Sequence, residues 1–155
     1  MLTPNTFVLT RTFRKPPEKV FAAFSDPDKK RRWMASGHDH QVDHYTSDFR
    51  VGGHDAAQYR LSDKTPFPGV IMTSDEIYLD IVENERIVSA ATMTLGGKLI
   101  SAALASFEIE ADGDGGAKLT LTHQALFYPM SDGPRMRQDG WNKLLDSLHD
   151  TVHAS

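Results

Sequence analysis

Apolar and polar positions alternate along most of this chain, and a helical period replaces the alternation in three places. In residues 6–13, Phe7, Leu9 and Phe13 share one phase while Thr10 and Thr12 take the other, the two-residue period of a half-buried strand. Pro16-Pro17 ends that strand and presets a first helical turn, after which Val20, Phe21 and Phe24 fall at helical spacing. Ser25-Asp26-Pro27 breaks this short helix and can cap a second one, from Asp28 to about Met34. Its Lys29, Lys30, Arg31 and Arg32 read as a solvated face.

Residues 37–68 are rich in Gly, Asp and His, with short strand-like pieces at 42–47, 48–51 and 56–61, and Gly52-Gly53 marking a tight turn or a bulge. After Pro66-Phe67-Pro68-Gly69 come four longer strand-like stretches, 70–82, 87–95, 99–111 and 117–127. Glu83-Asn84-Glu85, Gly96-Gly97 and Asp112-Gly113-Asp114-Gly115-Gly116 join them, connections too short for a parallel crossover, so the strands form an antiparallel meander. Ser131-Asp132-Gly133-Pro134 then opens one helix that runs to about Val152. Its apolar stripe is Met136, Trp141, Leu144, Leu145, Leu148 and Val152, opposite Arg137, Asn142, Lys143 and Asp146.

These elements predict an α+β fold in one domain, residues 1–155. A curled antiparallel sheet of six to seven strands wraps around a long C-terminal helix, and two short helices follow the first strand. A curled sheet around a single helix leaves room for a cavity between them. Composition narrows the chemistry. The chain has no cysteine, which removes disulfides, thiolate nucleophiles and Cys-ligated metals. A net charge of −4 offers no positive field for a nucleic-acid backbone, and no apolar run is long enough to span a bilayer. No signal peptide is readable at the amino terminus, so a cytoplasmic location is expected.

Four segments carry a family resemblance. Arg11-Thr12-Phe13 with Pro17-Glu18-Lys19-Val20-Phe21-Ala22-Ala23-Phe24 and Asp26-Pro27 through Trp33 looks like an opening strand and helix pair, and Asp48-Phe49-Arg50-Val51-Gly52-Gly53 like a D-x-R-x-G-G turn. Glu85-Arg86-Ile87-Val88 matches a mid-sheet E-R-[IL]-V, and Gly140-Trp141 with Leu144, Leu145 and Leu148 a G-W-x-x-x-L helix motif. The chain thereby resembles the helix-grip proteins of the START-related, polyketide-cyclase-like superfamily, specifically the stand-alone domains similar to the C-terminal domain of the heat-shock-protein-ninety ATPase activator. The resemblance implies an apolar or amphipathic small molecule held between sheet and last helix; no cofactor is expected. It does not carry over a chaperone-activating role.

The residues suggest where chemistry would reside. His123 shares a strand phase with Leu119 and Leu121, so it points inward if they do, and an imidazole there could orient a ligand or act as general base. Its companions would be Tyr59, Asp75 or Tyr78, although Ile77, Leu79 and Ile81 argue that Tyr78 faces away from the helix. Trp33, Tyr59, Phe107, His123, Met136, Trp141, Leu144 and Leu148 are the candidate ligand-binding residues, with plain core packing as the simpler reading for the aromatics. His38, His40 and His44, beside Asp39 and Asp43, and the pair His149 and His153 have metal-like spacings. An exposed loop and a helix C-terminus explain them more cheaply, and no metal site is assigned. The leading expectation is a small-molecule binding protein. A cofactor-free lyase, cyclase or hydrolase using His123 is the first alternative, a chaperone-associated interaction protein the second, and a homodimer is compatible with either.

Overall fold

The computed structural model describes residues 1–35 and 40–154. In chain order the elements are β1 (Thr3–Phe13), α1 (Pro17–Ser25), α2 (Pro27–Met34), β2 (His40–Ser47), β3 (His54–Leu61), β4 (Ile71–Val82), β5 (Arg86–Leu95), β6 (Lys98–Asp112), β7 (Gly116–Phe127) and α3 (Gly133–His153). All seven strands form one antiparallel sheet in the order β1-β7-β6-β5-β4-β3-β2. Strands β2 to β7 meander, each hairpin following from a short connection that carries glycine or, between β4 and β5, Asn84 at φ 63°, while α1 and α2 carry the chain from β1 at one edge to β2 at the other. The fold is the predicted α+β helix grip.

One expected strand is absent. Residues 48–51 form a turn, because their backbone bonds are satisfied locally and against β4. The Gly53 N–H donates to the Arg50 carbonyl at 2.8 Å, the Gly52 N–H donates to the Tyr78 carbonyl at 2.8 Å, and the Tyr78 N–H donates to the Gly53 carbonyl at 3.1 Å. Gly52 sits at φ +83°, and a Cβ on Gly53 would lie 2.1 Å from the Asp48 carbonyl oxygen, so both positions need glycine. The turn delivers Phe49 edge-on to Tyr78, with ring centroids 5.0 Å apart.

Register decides what the helix-facing side of the sheet presents. Nearest α1 it aligns Leu9, Leu121, Phe107 and Ile87, large apolar side chains packed with Phe24, Trp33, Leu145 and Leu148. The next row is Phe7, His123, Ala105, Ser89 and Tyr78. The one after is Asn5, Ala125, Ala103, Ala91, Glu76, Asp55 and Ser47. Phe107 lies 4.9 Å from Phe24 and 5.7 Å from Trp141, centroid to centroid, so the first row is a packed core.

Helix α3 buries Arg137, Trp141, Leu145, Leu148 and Val152. This corrects the expected stripe at its start: Met136 is 65% exposed and Arg137 is inside. Arg137 can be buried because its charge is matched by Asp132. Its guanidinium donates to both Asp132 oxygens at 2.8 and 2.9 Å and to Ser101 Oγ at 2.9 Å, and it lies over the Phe127 ring at 5.2 Å. At the other end, the Arg14 N–H donates to His153 Nε2 at 3.1 Å, and His153 Nδ1 lies 2.8 Å from the His149 carbonyl. His153 thereby ties the end of α3 to the chain just after β1. Among the described residues no helix is long and apolar enough to cross a membrane.

Candidate functional site

Two polar poles stand on the helix-facing side of the sheet. The first is built around Lys30, which α2 turns inward three positions before the buried Trp33, the spacing of one helix face. Asp26 caps α2, accepting from the N–H groups of Asp28 and Lys29 at 3.0 and 3.4 Å, and so fixes where that face points. Lys30 Nζ lies 2.8 Å from Asp55 Oδ2 and donates to Glu76 Oε1 at 2.9 Å and to the Tyr78 hydroxyl at 2.8 Å. Tyr78 donates onward to Asp55 at 2.9 Å, as do Tyr45 at 3.1 Å and Ser47 at 3.3 Å, while Ser89 donates to Glu76 Oε2 at 2.6 Å.

Burial disfavours the Lys30 ammonium, but the carboxylates of Glu76 and Asp55 outweigh it and hold the pKa well above that of an ordinary lysine. Burial raises Tyr45 and Tyr78 far above the usual phenol range and Tyr59 to about 12, so these hydroxyls remain protonated donors. The run Lys29 to Arg32 is therefore not uniformly solvated, since Lys30 is 3% exposed. Tyr78 does not face away from the helices either, being 1% exposed while Leu79 is 48% exposed. A register shift between Tyr78 and Asp80 changes the phase of β4, so Tyr78 and Ile81 both reach the core.

The second pole is His123. β7 has no register shift, so His123 follows Leu119 and Leu121 inward, as expected, and is 2% exposed. Its ring stacks on Phe7 with centroids 4.6 Å apart and lies 6.3 Å from Trp141. Burial, then the nearby Arg137 charge, lower its pKa to about 4, so the imidazole is neutral at physiological pH. His123 Nδ1 and Asn5 Oδ1 are buried without a hydrogen-bond partner among the described residues. They stand one diagonal step apart on β7 and β1. Such atoms carry a desolvation cost of about 1–3 kcal/mol each.

Between the poles the sheet presents a floor of small side chains: Ala125, Ala103, Ala105, Ala91 and Ser89. Ala91 and Ala103 keep partial solvent contact.

The sequence-predicted residues separate into groups. Trp33, Phe107 and Trp141 join Phe24 in the aromatic core, Leu148 is fully buried and Leu144 packs against the same core. Tyr59 lies with Ala35 and Ala57 in a second cluster. Asp75 is on the opposite face of the sheet, 2.9 Å from His54, so neither Tyr59, Asp75 nor Tyr78 accompanies His123. His38 and Asp39 lie outside the described residues, and His44 is exposed. Among the described residues no three His, Asp or Glu side chains converge as a metal site. A shallow, open depression of about 450 Å³ is lined by Pro4, Thr6, Ala102, Leu104, Gln124 and Leu126, whose side chains alternate away from His123, and by Asn5, Ala103 and Ala125 between them.

A curled sheet gripping one long helix, with small and polar side chains turned toward that helix, defines a helix-grip domain of the START-related, polyketide-cyclase-like superfamily of ligand-binding domains. More narrowly, the chain belongs to the family of Activator of Hsp90 ATPase homolog 1-like proteins, whose pattern it matches over residues 14–153. It is similar to an uncharacterised protein of Rhizobium leguminosarum, 33% identical, with a TM-score of 0.91 over 100% of this chain and 98% of that one. It is also similar to the Mll3558 protein of Rhizobium loti, 32% identical, with a TM-score of 0.85 over 97% and 99% of the two chains. An AHSA1-like protein of Aeromonas hydrophila, 18% identical over 96% of this chain and 93% of that one, shares the fold with a TM-score of 0.62. No curated protein matches the chain.

Proposed function

We propose that this protein binds an amphipathic small molecule on the alanine and serine floor between the sheet and α3, without a cofactor. The observation that carries the reading is the buried His123. Its Nδ1 has no partner among the described residues, and it stands at the end of a floor where small side chains replace the large ones of the neighbouring row. A neutral imidazole can donate or accept a hydrogen bond to a ligand without adding charge to an apolar space. Acid–base catalysis has less support, because the carboxylate and phenols expected beside His123 are elsewhere.

Nile red fluorescence tests the reading. The wild type should take up the dye saturably and release it to decanol, and Ala103→Leu, which fills the middle of the floor, should weaken uptake about tenfold or more while the domain stays folded. Dye uptake that is unaffected by Ala103→Leu would place the site elsewhere.

A further inference from the structure

The floor reading leaves open which head group the ligand carries, and the charges around the floor answer that. Among the described residues, the ionisable groups turned toward the two poles include Lys30 from α2, Asp55 from β3, Glu76 from β4, His123 from β7 and Arg137 from α3. Among the described residues, Arg137 is matched by Asp132, and Lys30 stands against two carboxylates, which leaves one negative charge over.

Of the two acids, Glu76 is the more open. The Asp55 side chain is 6% exposed, and its Oδ2 lies within reach of Lys30, Tyr45, Ser47 and Tyr78. Glu76 takes one bond on each oxygen, from Lys30 and from Ser89, although each carboxylate oxygen has two acceptor sites. Glu76 is also the acid registered directly against Ala91 of the floor, and its side chain keeps 12% exposure. From β4 to β7 the floor spans three strand spacings, about 14 Å. At its far end is a buried, unpartnered imidazole nitrogen, independently marking the floor as a place for a guest.

We propose that the ligand is an amphipathic amine, with its ammonium on Glu76 and Ser89 and its alkyl body along Ala91, Ala103 and Ala105 toward His123. This rests on the floor being the binding site and assigns the head group it prefers. Neutral His123 adds no charge that would repel a cation, and a hydrogen-bonding group at the far end of the ligand would meet its Nδ1, whereas an anionic head group would meet the carboxylate of Glu76.

Calorimetric titration of the wild-type protein with decylammonium, decanol and decanoate tests the assignment. Decylammonium should bind about tenfold or more tighter than decanol, and decanoate more weakly than decanol. Glu76→Gln should remove about tenfold from decylammonium and leave decanol within about twofold, while Glu83→Gln, on the β4–β5 turn, should change neither. If Glu76→Gln does not fold, the wild-type series decides alone. Decanol or decanoate binding as tightly as the amine would overturn the head-group assignment and spare the floor. Absence of saturable binding by all three would overturn both.

Discussion

Replacing Lys30 by Met tests whether a lysine in a run of surface-looking charges organises the interior. Lys30 is 3% exposed and bonded to Asp55, Glu76 and Tyr78, so Lys30→Met strands two carboxylates in a site where burial already acts against charge. Removing one partner of a buried ion pair costs about 3–5 kcal/mol. For a domain of this size that is a fall in Tm of roughly 6–20 °C. The sign with pH also follows. Lys30 has a raised pKa, so its contribution is complete below the unfolded-state value and is lost only as pH rises through the still higher folded value. The difference between wild type and variant should therefore stay level from about pH 6 to 9. Urea unfolding measures it, and the triple variant Lys30→Met/Asp55→Asn/Glu76→Gln should recover much of the loss, because the penalty lies in stranded charge rather than in lost attraction. A Lys30→Met cost below about 1 kcal/mol would match a surface lysine and refute the reasoning.

Two further perturbations probe the second pole and the turn. His123 has its pKa lowered to about 4, so the unfolded chain binds a proton between there and the ordinary value, and stability should fall by about 3 kcal/mol as pH drops from 6.5 to 4. His123→Phe should flatten that part of the profile, and an unchanged slope would show that other groups set it. Gly53→Ala places a methyl against the Asp48 carbonyl and should cost at least about 2 kcal/mol by urea unfolding. Gly140→Ala, on α3 where a methyl meets nothing, should instead stabilise by about 0.5–1 kcal/mol, and equal effects at the two glycines would contradict the turn geometry.

The fold could be read from the sequence because its strongest cues are local. Alternation, short glycine connections and one helical stripe are each contained within a few dozen residues. His123 was readable for the same reason: Leu119 and Leu121 frame it on a strand without a register shift. The Lys30 pole was hidden because its partners lie 25 and 46 positions further along the chain, on β3 and β4. A lysine among Lys29, Arg31 and Arg32 gives no local sign that it alone is turned inward. Tyr78 was misassigned because the apolar residues around it occupy the other phase, and only the register shift at Asp80 reconciles an inward Tyr78 with an inward Ile81. At the start of α3, hydropathy favoured Met136 over Arg137, and Asp132 with Ser101 reversed the order.

The floor itself is five small residues drawn from three strands, which only the pairing register brings together. Methyl NMR of alanine-labelled wild-type protein titrated with decanol reports on it directly. The account predicts saturable shifts at the methyls of Ala91, Ala103, Ala105 and Ala125. No saturable shift there, or shifts confined to Ala102 on the opposite face, would contradict a ligand site between the sheet and α3.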